Sequence, residues 1–174
     1  MAFRRTLAGL AFVMSGMSSL AMAADGTVQF TGEIVDTPCV VSTDSSTQTV
    51  NMGQVKASTF TAPNTISADH GFDIKLEECD ASTKKNANVT FTGPQSDADN
   101  TLLAINNVAG AATGVGIEIL SNEGTVIPMG TASAESSLVN GENTLIFKAR
   151  YKSTTATVTP GLANSQADFQ VSYK

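Results

Sequence analysis

Tryptophan is absent from this sequence, histidine occurs once and cysteine twice, and ten lysines and arginines face sixteen acidic residues. With His70 alone, no multi-histidine metal site can be assembled. It reads as a solvated loop residue. A serine triad built on it would need a nucleophile elbow, and no Gly-x-Ser-x-Gly occurs. The scarcity of positive charge argues against nucleic acid or an anionic membrane surface as partner, since either favours a basic face. Past residue 23 no apolar run approaches the ~20 residues that span a hydrocarbon core, so no membrane insertion is expected. Cofactor motifs are missing too. The stretch 110–116, rich in glycine and alanine, has no phosphate-loop lysine and reads as a bend between strands. Asp97 and Asp99 lie in a run without the glycine and distal glutamate of a calcium loop, and read as a solvated turn. Asn88-Val89-Thr90 matches a glycan acceptor, a pattern short enough to occur by chance. Neither an enzyme nor a cofactor is expected.

What is present begins with an export signal. Arg4 and Arg5 precede a largely apolar stretch over 7–20, and Ala21-Met22-Ala23 offers small residues where a signal peptidase cuts, so 1–23 reads as a signal peptide. Cleavage after Ala23 would remove both arginines and leave eight basic against sixteen acidic side chains on 151 of the 174 residues. That length suits one domain with one core. In an oxidising compartment, Cys39 and Cys79 read as a disulfide in preference to a metal or catalytic pair.

The remainder is rich in threonine, serine, valine, alanine and glycine, which favour strands and turns. Val28, Phe30, Gly32 and Ile34 alternate with Thr27, Gln29, Thr31 and Glu33, the period of a strand with one buried face. Further strands are expected over 35–41, 47–52, 71–77, 87–92, 102–105, 115–120, 125–129, 144–151 and 167–173. Turn formers separate them at 43–45, 92–94, 121–124 and 140–141. Many short strands at this spacing indicate an antiparallel sandwich. The last of them, with Ala167, Phe169, Val171 and Tyr173 on one side, is a well-patterned strand where chain ends usually fray. Tyr151, closing the apolar run 145–151, reads as a core-edge residue.

These residues together resemble a family. Gly26-Thr27-Val28-Gln29-Phe30-Thr31-Gly32-Glu33-Ile34-Val35-Asp36 runs into Pro38-Cys39, and Thr49-Val50-Asn51-Met52-Gly53-Gln54-Val55 follows. Phe72-Asp73-Ile74-Lys75-Leu76 stands ahead of Cys79. Gly114-Val115-Gly116-Ile117, Phe147-Lys148-Ala149-Arg150-Tyr151, Gly161 and Tyr173 complete the set. In order and spacing they resemble major subunits of chaperone-usher fimbriae, in the type 1 fimbrial group and nearest its long polar fimbria major subunits.

The resemblance implies an all-β fold, an incomplete immunoglobulin-like sandwich that lacks its last strand. It divides the chain into the signal peptide 1–23, an N-terminal donor-strand extension 24–34 and a pilin domain 35–174. A periplasmic chaperone would fill the open groove first; an outer-membrane usher would then exchange that strand for the extension of the next subunit, a copy of this chain or another fimbrial subunit, by strand addition. Val28, Phe30 and Ile34 would be the plugs and Gly32 the place where no side chain fits. Gly161, Ala167, Phe169, Val171 and Tyr173 would form the groove strand. The implied function is a structural subunit of a fimbria on the bacterial surface, supporting adhesion. A minor adaptor of the same fibre and a free secreted ligand-binding sandwich are the alternatives.

Overall fold

The computed structural model describes residues 26–34 and 37–174. The signal peptide, its cleavage site and the first two residues of the extension lie outside the described residues. The chain divides into two units, Met1–Ile34 and Val35–Lys174.

In the first unit, 26–34 forms no helix or strand and every residue is exposed. Val28, Phe30 and Ile34 are 74, 90 and 102% exposed, a state in which three apolar side chains gain nothing from burial. The alternation there predicts a strand, but a strand needs a ladder partner, and no described residue is bonded to it.

The second unit is built from two antiparallel sheets. Strands β1 (Val40–Val41), β2 (His70–Cys79), β3 (Asn86–Thr92), β4 (Gln95–Ser96), β5 (Asp99–Ala104), β6 (Val115–Ser121), β7 (Ser136–Ser137), β8 (Gly141–Ser153) and β9 (Asp168–Tyr173) follow one another in the chain. One sheet has the order β1-β2-β8-β6-β5-β4, the other β7-β3-β9. Alternation along β8 puts Leu145, Phe147, Ala149, Tyr151 and Ser153 inward, while on β3 it does so for Ala87, Val89 and Phe91. Phe72, Phe91 and Phe147 meet between the layers with ring centroids 5.1 to 5.9 Å apart. Cys39 and Cys79 are joined, tying the start of β1 to the end of β2.

Several sequence expectations are corrected. Only Val40–Val41 of 35–41 is a described strand, and Thr43–Ser46 is a single helical turn capped by the Ser42 hydroxyl. Segment 125–129 forms only an isolated bridge, and 47–52 forms no strand. His70 opens β2 opposite Ala149, so it is a strand residue and not a loop one. Asn88 is only 5% exposed, which leaves no room for a glycan.

Strand β6 is buried on both faces, beyond what alternation announces. Leu103 pairs with Ile117 on the core side, so Leu102, Glu118 and Leu120 share the opposite face. Leu102 and Leu120 are fully buried there; Gly116 admits Leu102, because a Cβ at that position would lie 3.0 Å from the leucine Cβ. Glu118 is buried among them and is neutralised by two cations. Arg150 reaches it at 2.7 Å and Lys152 at 3.1 Å, with Asp69 and Asp99 as outer partners.

Candidate functional site

Among the described residues strand β9 pairs with β3 alone, in the register Ala87–Tyr173, Val89–Val171 and Phe91–Phe169. Directly opposed residues lie on one sheet face, so all six point into the core. Their burial nevertheless differs. Ala87, Val89 and Phe91 are 1, 0 and 3% exposed, whereas Phe169, Val171 and Tyr173 are only half-buried. The difference has a position as its cause: β3 is flanked by strands on both sides, and β9 on one.

The backbone carries the same asymmetry. Asn86 and Lys174 exchange reciprocal N–H···O bonds of 3.1 and 2.9 Å, which makes them a hydrogen-bonded pair of the ladder. Bonding alternates along an antiparallel strand, so Asp168, Gln170, Ser172 and Lys174 address β3, and Phe169, Val171 and Tyr173 direct their N–H and C=O groups to the vacant edge. The same three residues therefore present apolar side chains and unpaired polar backbone together. A strand laid along this edge would satisfy both needs at once. Burial raises the pKa of the Tyr173 phenol, which stays a neutral donor at physiological pH.

A second unpaired run answers it. Segment 48–55 makes no backbone–backbone hydrogen bond to any described residue, yet Met52 and Val55 pack on the same core cluster as Phe169, Val171 and Tyr173. It has strand-forming residues without a ladder. Apart from the Gly53 N–H, which donates to Asn51 Oδ1 at 2.9 Å, its backbone polar groups have no partner among the described residues and are left to solvent.

The residues ahead of β9 are pinned. Exposure alternates from Leu162 to Val171, continuing the strand pattern ahead of the ladder. Asn106 N–H donates to the Asn164 carbonyl at 2.8 Å, Ser165 Oγ to the Ala104 carbonyl at 2.5 Å, and Tyr151 Oη to the Ala163 carbonyl at 2.9 Å. Desolvation raises the Tyr151 pKa, keeping that donor protonated. Gly161 lies outside β9, and a Cβ on it would run into the backbone of Gly110, Ala111 and Ala112. Its place is that of a close-approach glycine on the run that leads into β9. Gly32, by contrast, has open space around it, so nothing within the first unit demands glycine there.

The unpaired segment 48–55 and the Tyr151 tie were not evident from sequence. The tie had no local signal. The failure of 47–52 to form a strand is itself the signal for the former, and it appears only once all ladders are drawn. Asp99 directs its carboxylate to Thr101 and Lys152.

The family model described as fimbrial protein matches residues 28–174. The chain is 45% identical to long polar fimbria protein A of Salmonella typhimurium, covering 93% of this chain and 91% of the relative. It is 48% identical to a probable major fimbrial subunit, LpfA, of Escherichia coli O157:H7, over 92 and 90% of the two chains. Among solved structures, a chaperone-usher pilus subunit superposes with a TM-score of 0.72 at 29% identity, covering 87% of this chain and 96% of that one. The P pilus rod subunit PapA superposes at 0.69 and 27% identity, over 79 and 100%.

Proposed function

Since the chain belongs to the fimbrial protein family and is a structural subunit of a bacterial surface fimbria, we propose that it polymerises by lending 24–34 to the open edge of the next copy. The fold is the immunoglobulin-like sandwich of pilus subunits. One observation carries the reading: Phe169, Val171 and Tyr173 are only half-buried and turn unbonded backbone N–H and C=O groups to the edge, while the residues opposite them on β3 are fully buried.

The extension has the complementary defect. Burying Val28, Phe30 and Ile34 in a neighbour is worth about 5 to 8 kcal/mol by transfer estimates. Each backbone bond to β9 or to 48–55 adds about 1 kcal/mol net. A head-to-tail contact of this kind does not close on itself and therefore makes a filament. Before assembly the same edge exposes apolar surface and an unpaired strand, an aggregation hazard. A periplasmic chaperone would cover it with a strand of its own until an outer-membrane usher brings in the next subunit. The chain acts here as a structural element and not as an enzyme.

Deletion of 24–34 tests the assignment. Expected is a subunit that accumulates with its chaperone and forms no fibres; fibres of normal length from the deleted chain would sink it. Replacing Phe169 and Tyr173 with aspartate is expected to lower periplasmic yield and chaperone capture, and unchanged capture would count against their role.

A further inference from the structure

We propose that the sandwich takes up an extended, lysine- or arginine-bearing peptide on the flank opposite β9, as an added strand along residues 142–146 of β8. The surface is separate from the β9 edge and shares no residue with it.

Backbone bonding defines the edge. Lys75 N–H donates to Ser45 Oγ at 2.9 Å and its carbonyl accepts from Ser42 N–H at 3.0 Å, so Lys75 turns its backbone to the β1 side. Its neighbours Ile74 and Leu76 therefore bond to β8, at Leu145 and Asn143. Along β8 the alternate residues Glu142, Thr144 and Ile146 direct their N–H and C=O groups the other way, towards the β6 side. The bonding of β6 agrees: Ile119 and Ser121 bond to Ile127 and Thr125, which leaves Leu120 to bond Lys148. But β6 ends at Ser121, opposite Phe147, where the chain turns back. No described residue is bonded to Glu142, Thr144 or Ile146 on that side. The other sheet ends on the same flank. Leu138 N–H donates to the Lys85 carbonyl at 2.8 Å, which sets Ser136 towards β3 as well and turns the backbone of Glu135 outward. Between the two edges lies a cleft of about 460 Å³, lined by the turn after β6 and by 133–136 and 144–147.

Side chains and charge select the occupant. A residue of the added strand opposite Thr144 or Ile146 projects onto the outer face of the sheet, where Ile146 is 49% exposed and Val126, opposite Leu120, 38%. Apolar residues suit those positions. The residues between them project into the cleft. Glu123 and Glu135 stand on its rim, and Glu142 is exposed just ahead of it on β8. The Ser121 hydroxyl holds the Glu123 carboxyl below its usual value, so it is ionised at neutral pH. Two lysines oppose the three carboxylates: Lys174, 2.8 Å from Glu135, and Lys148, near Glu123. The imbalance has the sign of the chain as a whole, in which acidic residues outnumber basic ones. Basic residues at the cleft-facing positions complement it, and the period of a strand sets apolar ones between them. The turn after β6 closes one end of the edge, which suits a short extended segment.

Fluorescence anisotropy with sheared fibres of the full-length chain tests the surface. The probe is a short labelled peptide of alternating lysine and valine. It is compared with a glutamate–valine peptide and with a lysine–valine peptide N-methylated at each valine, which lacks the N–H groups that would face Thr144 and Ile146. Saturable binding of the first is expected, with both comparison peptides weaker by roughly tenfold or more. Thr144→Pro removes one outward N–H and leaves the ladder to β2 whole, a place where a strand tolerates proline. It should weaken binding by roughly tenfold without changing the resistance of the fibre to denaturant. Glu123→Gln combined with Glu135→Gln should weaken it by roughly fivefold and reduce its salt dependence. Absence of saturable binding, equal binding of the N-methylated peptide, or equal binding of the glutamate peptide overturns the proposal. Binding that Thr144→Pro leaves unaltered overturns it too, and is the result expected of a peptide captured by open β9 edges. If Thr144→Pro yields no fibres, the N-methylated peptide and the double glutamine variant decide.

Discussion

Phe30→Ala separates the stability of the fibre from that of the subunit. In the described chain Phe30 is 90% exposed, so its loss takes no packing away from the domain that carries it. In the fibre it would fill the neighbour's core, where Phe→Ala typically costs about 3 to 5 kcal/mol in lost transfer energy and cavity formation. At 1.4 kcal/mol per tenfold, that corresponds to fibre dissociation favoured by roughly a hundred- to a few-thousand-fold. The assay compares two quantities. Fibre depolymerisation is followed in guanidinium by light scattering or gel, and subunit stability is followed by unfolding of the chain with its groove filled by a wild-type donor peptide. The expected result is a large shift in the first and a negligible shift in the second. Fibres of wild-type resistance, or an equal loss in both, would refute the placement of Phe30 in a neighbour.

Three further outcomes are expected. Glu118→Ala should destabilise the donor-filled subunit by about 3 kcal/mol, the low end for breaking a buried ion pair, because Arg150 keeps Asp69 and Lys152 keeps Asp99; a change under about 1 kcal/mol in urea unfolding would contradict the burial argument. The Thr101 hydroxyl, aided by Lys152, holds the Asp99 carboxyl below its usual value against a smaller opposing effect of burial. A group depressed on folding contributes stability above its unfolded value near 4, and that contribution is lost as pH falls through the folded value. Asp99→Asn should therefore flatten part of the acid limb of the stability profile below about pH 4, and an unchanged slope would contradict it. Replacing both Cys39 and Cys79 with serine opens a bridge between residues 40 apart and should cost about 4 kcal/mol on the chain-entropy account. Periplasmic yield reports it, and ordinary accumulation of the double mutant would refute that role.

Much of the sandwich was legible because strand alternation is local. The expected strands at 71–77, 87–92, 115–120 and 167–173 fall within two residues of the ends of β2, β3, β6 and β9. Failure came where a strand needs a partner to exist. Segments 28–34 and 47–52 have the right residues and no ladder. Glu118 shows another limit. In sequence it interrupts the apolar run 115–120, and alternation marks it as outward and solvated. Outward it is, but Leu102, Leu120, Arg150 and Lys152 enclose it, and they reach it only through the ladders of β5, β6 and β8.

The residues from Val28 to Ile34 and from Ala167 to Tyr173 carry their apolar faces in their own order, so the sequence by itself determined that both are strand-forming and which side chains each would bury. Whether those faces find cover is not a local property. It depends on which ladders close, and only the tertiary structure decided that β3 stands between two neighbours and β9 beside one. Side-chain alternation repeats every two residues of one chain segment, whereas an unpaired edge is defined by the absence of another segment next to it.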